Sequence, residues 1–155
     1  TLIKTLALLD NSFFLHIFGD GEDESKLKIY AKKIGVEHKI KFYGRVNNPW
    51  KNINDYNIYL MPSRWEGPGH TIIEALSHGI PSIVSNCPYG PEETIDYGKF
   101  GEVFEIDDCD DFADKIQKTW KDYSNSLEKA SLGQLQTNKY KPSSIYSFWL
   151  NLKEE

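Results

Sequence analysis

The chain has 155 residues, of which 39% are hydrophobic and 26% are charged, and its formal net charge is −5 at pH 7. These values describe a globular domain, favour one domain over two, and argue against a dedicated nucleic-acid-binding protein. No apolar run approaches the ~18 residues of a membrane-spanning helix, and two cysteines, too few for a disulfide framework, favour a reduced, cytoplasmic setting.

Short apolar runs alternate with amphipathic stretches along the chain, and their periodicity predicts the secondary structure. In chain order the predicted elements are a helix over 1–9, a strand over 13–18, a helix over 24–34, strands over 40–43 and 57–61, a helix over 71–78, strands over 82–85 and 102–104, and helices over 111–123 and 143–153. Such alternation is typical of a parallel sheet covered on both faces. The sequence therefore predicts an α/β domain with a Rossmann-like, doubly wound parallel sheet.

The two ends of the chain depart from this regular pattern. A doubly wound domain normally opens with a strand, whereas this sequence opens with the helix at 1–9, so we expect a fragment whose first strand precedes Thr1. The single methionine, Met61, agrees with a missing natural start. Residues 1–155 are interpreted as one domain with a helical extension over 124–155, in which the polar stretch 124–141 forms either a linker or surface helices.

One loop, residues 62–70, combines several features of a binding site. It follows the third predicted strand, and in doubly wound sheets ligands bind beyond the carboxyl ends of the strands. Its Gly-Pro-Gly sequence excludes a regular helix and allows a ligand to approach the backbone closely. The N–H groups at the start of the next helix would form an anion site suited to a diphosphate, although an ordinary strand-to-helix connection explains the pattern equally well.

Two glutamates flank this loop with seven residues between them, Glu66 in the loop and Glu74 one turn into the helix. A carboxylate accepts hydrogen bonds from neighbouring hydroxyl groups, which a ribose or a hexose offers. Each glutamate also has a structural interpretation, because Glu74 fits a capping box with Thr71 as N-cap and a loop glutamate such as Glu66 is usually solvated.

The stretch 61–81 resembles the signature of the family 4 (group 1) glycosyltransferases. The pattern of that family is Glu, seven residues, Glu-Ala, two residues, Gly, one residue and Pro, and it is matched by Glu66, Glu74, Ala75, Gly79 and Pro81. Flanking segments agree in the same order over 17–21, 40–46, 90–93 and 98–101, and five motifs in register are a specific signal. The resemblance covers about residues 1–125. It implies the C-terminal, donor-binding half of a retaining, nucleotide-sugar-dependent enzyme of the GT-B fold.

The resemblance also implies roles for individual residues. Glu74 would bind the ribose hydroxyls, and Glu66, as the catalytic residue, would contact the transferred sugar near the reacting centre. Arg45 and Val46, after the second strand, would meet the base. The intervening loop would hold the sugar and the phosphates through Gly67, Pro68, Gly69, His70 and Thr71.

Three side chains near this loop have two interpretations each. His70 is either a donor to a phosphate or sugar oxygen or an exposed loop residue. Arg64 is either a phosphate ligand or the partner in a surface ion pair. Glu93 matches a recurrent glutamate of the family, but Pro91 at a helix start with acidic residues behind it equally indicates helix capping.

For the whole enzyme, the resemblance implies hexosyl transfer from a UDP-, GDP- or ADP-sugar to a glycan or lipid-linked acceptor. It implies a role in surface polysaccharide or lipopolysaccharide biosynthesis, with no metal site and no cofactor. The acceptor would bind an N-terminal domain outside this sequence. Nucleic acid is not an expected partner, and only the full-length protein would meet a membrane, peripherally at its inner, cytoplasmic face. The Gly-Arg and Lys that bind the diphosphate in the family would precede Thr1, so we expect the isolated chain to bind donor weakly and to transfer nothing.

Other functions are compatible with the same residues. A non-catalytic nucleotide-binding module would keep the donor site without transfer. A glycoside hydrolase would use Glu66 and Glu74 as an acid and nucleophile pair. The missing phosphate-binding residues would also suit a non-enzymatic interaction domain.

Overall fold

The structure, a computed structural model, describes residues 1–67 and 69–144. Pro68 and most of the predicted helix over 143–153 therefore lie outside the described residues. Five strands are present: β1 (Leu15–Phe18), β2 (Ile40–Gly44), β3 (Tyr59–Met61), β4 (Ser82–Ser85) and β5 (Glu102–Phe104). The α-helices are α1 (Leu2–Leu8), α2 (Glu24–Lys33), α3 (His70–Ser77), α4 (Pro91–Thr94), α5 (Cys109–Lys121) and α6 (Tyr123–Gln136), with 3₁₀ segments at Glu37–Lys39, Pro49–Asp55 and Thr137–Tyr140.

The predicted strands and the helices over 1–9, 24–34, 71–78 and 111–123 are confirmed with small shifts of their ends. The start of α5 moves to Cys109 because the Asp108 side chain accepts hydrogen bonds from the N–H groups of Asp110 and Asp111, each at 3.0 Å. The polar stretch 124–141 is not a linker, since α6 occupies most of it. Ala130 and Gly133 of this helix are buried, and a Cβ at Gly133 would come within 2.8 Å of Leu76.

All strand pairs are parallel, as predicted, but the strands form two sheets rather than one. β1 pairs with β2, placing Leu15 opposite Ile40. β3, β4 and β5 pair in that order, placing Tyr59 opposite Ser82 and Ile83 opposite Glu102. β1 and β3 are the facing edges of the two sheets, and in the described part of the chain they are not hydrogen-bonded to each other.

Helices cover both faces of the strands, because neighbouring strand residues point to opposite sides. Ile83 of β4 packs into a core with β1, α1, α2 and α5, where Phe104 and Phe112 stack with ring centroids 3.9 Å apart. Val84, the next residue, packs into a second core with α3 and with Ile95. The first core extends under both sheets, so it holds them in one domain.

Lys39, a buried residue, caps the C-terminal end of α1. It was not identified from the sequence. Lys39 is 3% exposed, and its ammonium group donates hydrogen bonds to the carbonyl oxygens of Leu6 (3.1 Å), Leu9 (2.9 Å) and Asp10 (2.8 Å). The last carbonyl groups of a helix have no partner within the helix. The ammonium group satisfies them and ties α1 to the start of β2.

We expect Lys39→Met to lower the free energy of unfolding by about 1–3 kcal/mol, because buried carbonyl oxygens lose their charged donor. Urea denaturation followed by circular dichroism measures this change. Lys4→Met, at an exposed position of α1, is the matched control and should change stability by less than about 0.5 kcal/mol. Equal effects of the two substitutions would show that the buried ammonium group does not cap the helix.

Candidate functional site

The loops that follow the parallel strands come together at one edge of the domain. After β3, Arg64 forms an ion pair with Asp107, which follows β5, at 2.9 Å. After β4, the Asn86 side chain donates to Glu105 at 2.7 Å and accepts from the N–H group of Ile106 at 2.8 Å. These contacts fix three strand-following loops to one another, at the edge where parallel sheets bind their ligands.

Glu66 is held in the loop after β3 by serine side chains. It is half-buried, and its Oε1 accepts a hydrogen bond from the Ser63 hydroxyl at 2.9 Å. The carbonyl oxygen of Ser63 in turn accepts a hydrogen bond from the hydroxyl of Ser85, a fully buried residue at the end of β4. Glu66 is therefore connected to the central strand of the sheet through two hydrogen bonds.

The helix after this loop begins at Gly69, which has a left-handed backbone conformation with φ +66° and acts as the N-cap of α3. A Cβ atom there would come within 2.9 Å of Ile72 Cγ2 and 3.4 Å of Met61 Cε, so only glycine fits. No described residue accepts a hydrogen bond from the backbone N–H group of His70 or Thr71. The first turn of α3 therefore offers donors and a positive dipole end to an anion.

The capping-box hypothesis for Glu74 is wrong. Because α3 starts at His70, Thr71 lies inside the helix, and its hydroxyl accepts a hydrogen bond from Tyr59 at 2.7 Å. Glu74 is exposed, and its Oε2 accepts a hydrogen bond from the indole N–H of Trp50 at 2.7 Å. The Trp50 ring also stacks on His78 with centroids 5.4 Å apart. The Glu74 carboxylate is thus available at the surface and oriented by the segment that follows β2.

Tyr59 connects the two glutamates electrostatically. Burial raises the pKa of its hydroxyl, and the negative charges of Glu66 and Glu74 both raise it further, while the hydrogen bond to Thr71 acts in the opposite direction. The Tyr59 hydroxyl donates to the hydroxyl of Thr71 in the first turn of α3, so it lies beside the start of the helix that carries Glu74.

The remaining predicted residues occupy different environments. Arg45 is exposed and Val46 is half-buried, directly after β2, where the N–H group of Gly19 donates to the carbonyl oxygen of Gly44 at 2.8 Å. Gly67 and His70 are exposed. Of its two interpretations, Arg64 shows the surface ion pair, and its hydrogen bond to Asp107 lowers the pKa of that carboxyl group.

Glu93 has a structural explanation, and several residues that hold the site were not predicted from the sequence. Glu93 is exposed in the first turn of α4, behind Pro91 at the first helical position, which agrees with the capping interpretation. Trp50 contacts Glu74, Tyr59 contacts Thr71, and Ser85 holds Ser63, the partner of Glu66. None of the three was predicted, because nothing in their sequence neighbourhood distinguishes them from packing residues. Within 1–67 and 69–144, no cluster of three potential metal ligands occurs, and no helix has the length and apolarity of a membrane span.

The geometry of Gly69 leads to a testable prediction about the loop. Gly69→Ala should lower the free energy of unfolding by about 1–3 kcal/mol, because the new methyl group combines a left-handed backbone with a contact below 3 Å. Gly67→Ala is the control from the same loop, since a Cβ there meets no atom within 4 Å. Thermal and urea unfolding compare the two, and a Gly69→Ala protein as stable as the control would contradict the assigned conformation.

The sequence was compared with known protein families and relatives. The sequence profile of the family described as "Glycosyl transferases group 1" matches residues 1–134. Lipopolysaccharide 1,6-galactosyltransferase of Salmonella typhimurium is 35% identical over 121 residues, which are 76% of this chain and 34% of that protein. Poly(ribitol-phosphate) alpha-N-acetylglucosaminyltransferase of Staphylococcus aureus is 29% identical over 147 residues, 92% of this chain and 29% of that protein.

Solved structures agree with these sequence matches. A crystal structure of a TarM mutant from S. aureus, in complex with fondaparinux, alpha-GlcNAc-glycerol and UDP, superposes with a TM-score of 0.87 at 29% identity. The match covers 97% of this chain and 31% of that one, and the chain spans about a third of the length of the relatives it matches. The predicted Rossmann-like α/β fold is confirmed, and the structural neighbours are GT-B glycosyltransferases. The chain therefore belongs to the group 1 glycosyl transferases.

Proposed function

We propose that this chain is the donor-binding domain of a retaining, family 4-type glycosyltransferase, which binds a nucleotide-diphosphate sugar for hexosyl transfer. The observation that carries the proposal is the arrangement at the start of α3. The N–H groups of His70 and Thr71, for which no described residue is an acceptor, stand in the chain between Glu66, held by Ser63, and Glu74, held by Trp50. The arrangement combines donors for a diphosphate with acceptors for sugar hydroxyls in one place.

The two carboxylates have complementary binding capacity. A carboxylate has two oxygens and about four acceptor positions. Glu74 uses Oε2 for Trp50, and Glu66 uses Oε1 for Ser63. In each case the donor is neutral, and no described residue donates to the other carboxylate oxygen, which is left for substrate. In the proposed complex, Glu74 accepts from the ribose hydroxyls and Glu66 from hydroxyls of the transferred sugar.

The start of α3 would support departure of the nucleoside diphosphate. Transfer breaks the bond between the sugar and the diphosphate, so positive charge develops on the sugar and negative charge on the leaving group. Backbone N–H groups and the positive end of the α3 dipole stabilise the leaving group. The negative charge of Glu66 stabilises the sugar. We infer that this fold needs neither a metal nor a cofactor for the reaction.

The relatives support the choice of donor and acceptor classes. The TarM complex contains UDP, which favours a UDP-sugar over the GDP- and ADP-sugars, and Arg45 and Val46 would lie against the base. Two relatives act, by name, on lipopolysaccharide and on poly(ribitol-phosphate). We therefore propose a glycan or lipid-linked acceptor of a bacterial surface polymer, bound by a further domain of the longer protein at the cytoplasmic face of the membrane.

Substitution of the two glutamates in the full-length protein tests the proposed roles. Glu74→Gln should weaken UDP binding about 10- to 100-fold, because it removes charge-assisted hydrogen bonds of about 1.5–3 kcal/mol. Glu66→Gln should lower kcat about 100-fold or more while leaving UDP affinity within about threefold, because its contacts are made to the sugar. Isothermal titration calorimetry measures UDP binding, and a transfer assay over UDP-, GDP- and ADP-sugars measures kcat.

Glu128→Gln, at an exposed position of α6, is the matched control and should leave both quantities unchanged. A Glu66→Gln protein that loses only UDP affinity would indicate the nucleotide-binding module instead. Hydrolysis of simple glycosides without any nucleotide would indicate the hydrolase. Either result would reject the proposed transferase site.

A further inference from the structure

Two aromatic side chains at the carboxyl edge of the sheet are almost fully exposed. Trp65, after β3, is 80% exposed and Tyr89, after β4, is 81% exposed, the highest values among the large hydrophobic residues that the structure describes. We call these two residues the aromatic pair. Neither side chain forms a hydrogen bond, a ring contact or a cation contact with any other described residue. Large aromatic surface is favourably removed from water, so bare rings at a ligand-binding edge indicate a partner.

The two loops that carry the aromatic pair are fixed to each other. Near their start, the hydroxyl of Ser85 donates to the carbonyl oxygen of Ser63. Near their end, a Cβ atom at Gly69 would lie 3.8 Å from Cγ of Pro91. In each loop the exposed aromatic residue lies between these two contacts, so the pair belongs to one surface of fixed shape.

The backbone of Tyr89 provides no reason for a tyrosine at this position. Its φ is +66°, in the left-handed region that bulky side chains rarely adopt and that glycine adopts without strain. Since the ring is exposed, packing does not require it either. Residues that keep an unfavourable backbone conformation are concentrated at functional sites, and this one lies in a strand-following loop of the candidate site.

The aromatic pair lies beside the carboxylate that we propose to contact the transferred sugar. Trp65 directly precedes Glu66, which is half-buried and held by Ser63, whereas the ring of Trp65 is open to solvent. In a transfer reaction, the attacking acceptor oxygen must come within about 3–3.5 Å of the sugar carbon. The acceptor ring therefore lies next to the transferred sugar, and it enters from the solvent side, where the aromatic pair lies.

The chemistry of the aromatic pair suits a sugar ring. A pyranose has C–H groups on its faces and hydroxyl groups at its rim, and the negative face of an aromatic ring attracts C–H groups. Tryptophan and tyrosine also offer a large contact area at a low cost in conformational entropy. The indole N–H of Trp65 and the hydroxyl of Tyr89 have no partner among the described residues, so both can bind rim hydroxyls.

We propose that Trp65 and Tyr89 form a stacking site for the acceptor, in which the sugar ring that receives the transferred hexose lies against the two aromatic side chains. The inference rests on the proposed function and extends it, because it places part of acceptor recognition on this domain. The aromatic pair binds and orients the acceptor ring, and it takes no part in breaking or forming the glycosidic bond.

Transfer kinetics of the full-length protein test the proposal, with methyl glycosides of glucose, galactose and N-acetylglucosamine as acceptors. Trp65→Leu and Tyr89→Leu should each raise the KM for the acceptor about three- to tenfold, the value of one aromatic contact, and leave the KM for the donor within about twofold. Trp65→Phe and Tyr89→Phe keep a ring and should restore the acceptor KM. Leucine variants that leave the acceptor KM unchanged would overturn the proposal and leave the proposed transfer function intact.

Tyr97 provides a matched control for Tyr89. It is also a tyrosine with a left-handed backbone (φ +51°), and it is 69% exposed. It lies between α4 and the start of β5, at the opposite edge of the sheet. Tyr97→Leu should leave both KM values unchanged, and an equal rise of the acceptor KM in this variant would contradict a specific site.

A binding measurement decides the question even if no methyl glycoside is glycosylated. The full-length protein is labelled with 5-fluorotryptophan, and the fluorine resonance of Trp65 is identified by its loss in Trp65→Phe. With UDP present, the methyl glycosides should shift this resonance with a Kd of about 1–10 mM, and Tyr89→Leu should weaken the binding about three- to tenfold. The absence of any shift would overturn the proposal. A protein that does not bind UDP would reject the proposed function instead, and the resonance would still report sugar binding.

Two other partners of the aromatic pair give different results. If the pair held the transferred sugar, the leucine variants would raise the KM for the donor, and a UDP-sugar alone would shift the Trp65 resonance. If another domain of the longer protein covered the pair, the resonance would be shielded from solvent without any sugar, and the leucine variants would lower the Tm of the full-length protein. Either result would overturn the proposal.

Discussion

The parallel pairing of β3, β4 and β5 is the constraint on which the candidate site depends. Because the three strands run in the same direction, the loops that follow them finish at one edge, where short polar side chains connect them. The Ser85 hydroxyl reaches the carbonyl oxygen of Ser63 from β4 to the loop after β3, and Asn86 connects the loops after β4 and β5. Without this pairing, Glu66 would belong to a solvated loop with no fixed position.

At this edge of the sheet, no described cation forms an ion pair with Glu66 or Glu74. The one arginine of the loop is occupied by Asp107, and the described partners of Glu66 and Glu74 are a hydroxyl and an indole N–H group. A carboxylate paired with a cation would accept hydrogen bonds from substrate hydroxyl groups less well. It would also stabilise a nearby positive charge less. Neutral partners orient the carboxylates and preserve their charge, which suits a role toward hydroxyl groups and a sugar that becomes positive.

The sequence predicts the elements well because apolar periodicity reports burial, and burial here follows regular helices and strands. The spacing of the motif predicts the site residues, but the sequence does not predict the hydrogen bonds that position their side chains. Trp50 reaches Glu74 across 24 positions and Ser85 reaches Ser63 across 22, and no local pattern encodes such contacts. The capping box failed for a related reason, since the left-handed conformation of Gly69 starts α3 earlier than the side chain of Thr71 alone would.

A cavity of about 690 Å³ between β1 and β3 borders the candidate site. Thr71 and Glu74 of α3 line the cavity together with Trp50, whereas Glu66 and Gly69 do not. The hydrogen bond from Trp50 to Glu74 joins the half of the domain that contains β2 to the half that contains β3 at the wall of this cavity. The position of the proposed ribose-binding carboxylate therefore depends on the contact between the two halves of the domain, whereas the loop that carries Glu66 is fixed by the Ser85 hydroxyl at the end of β4.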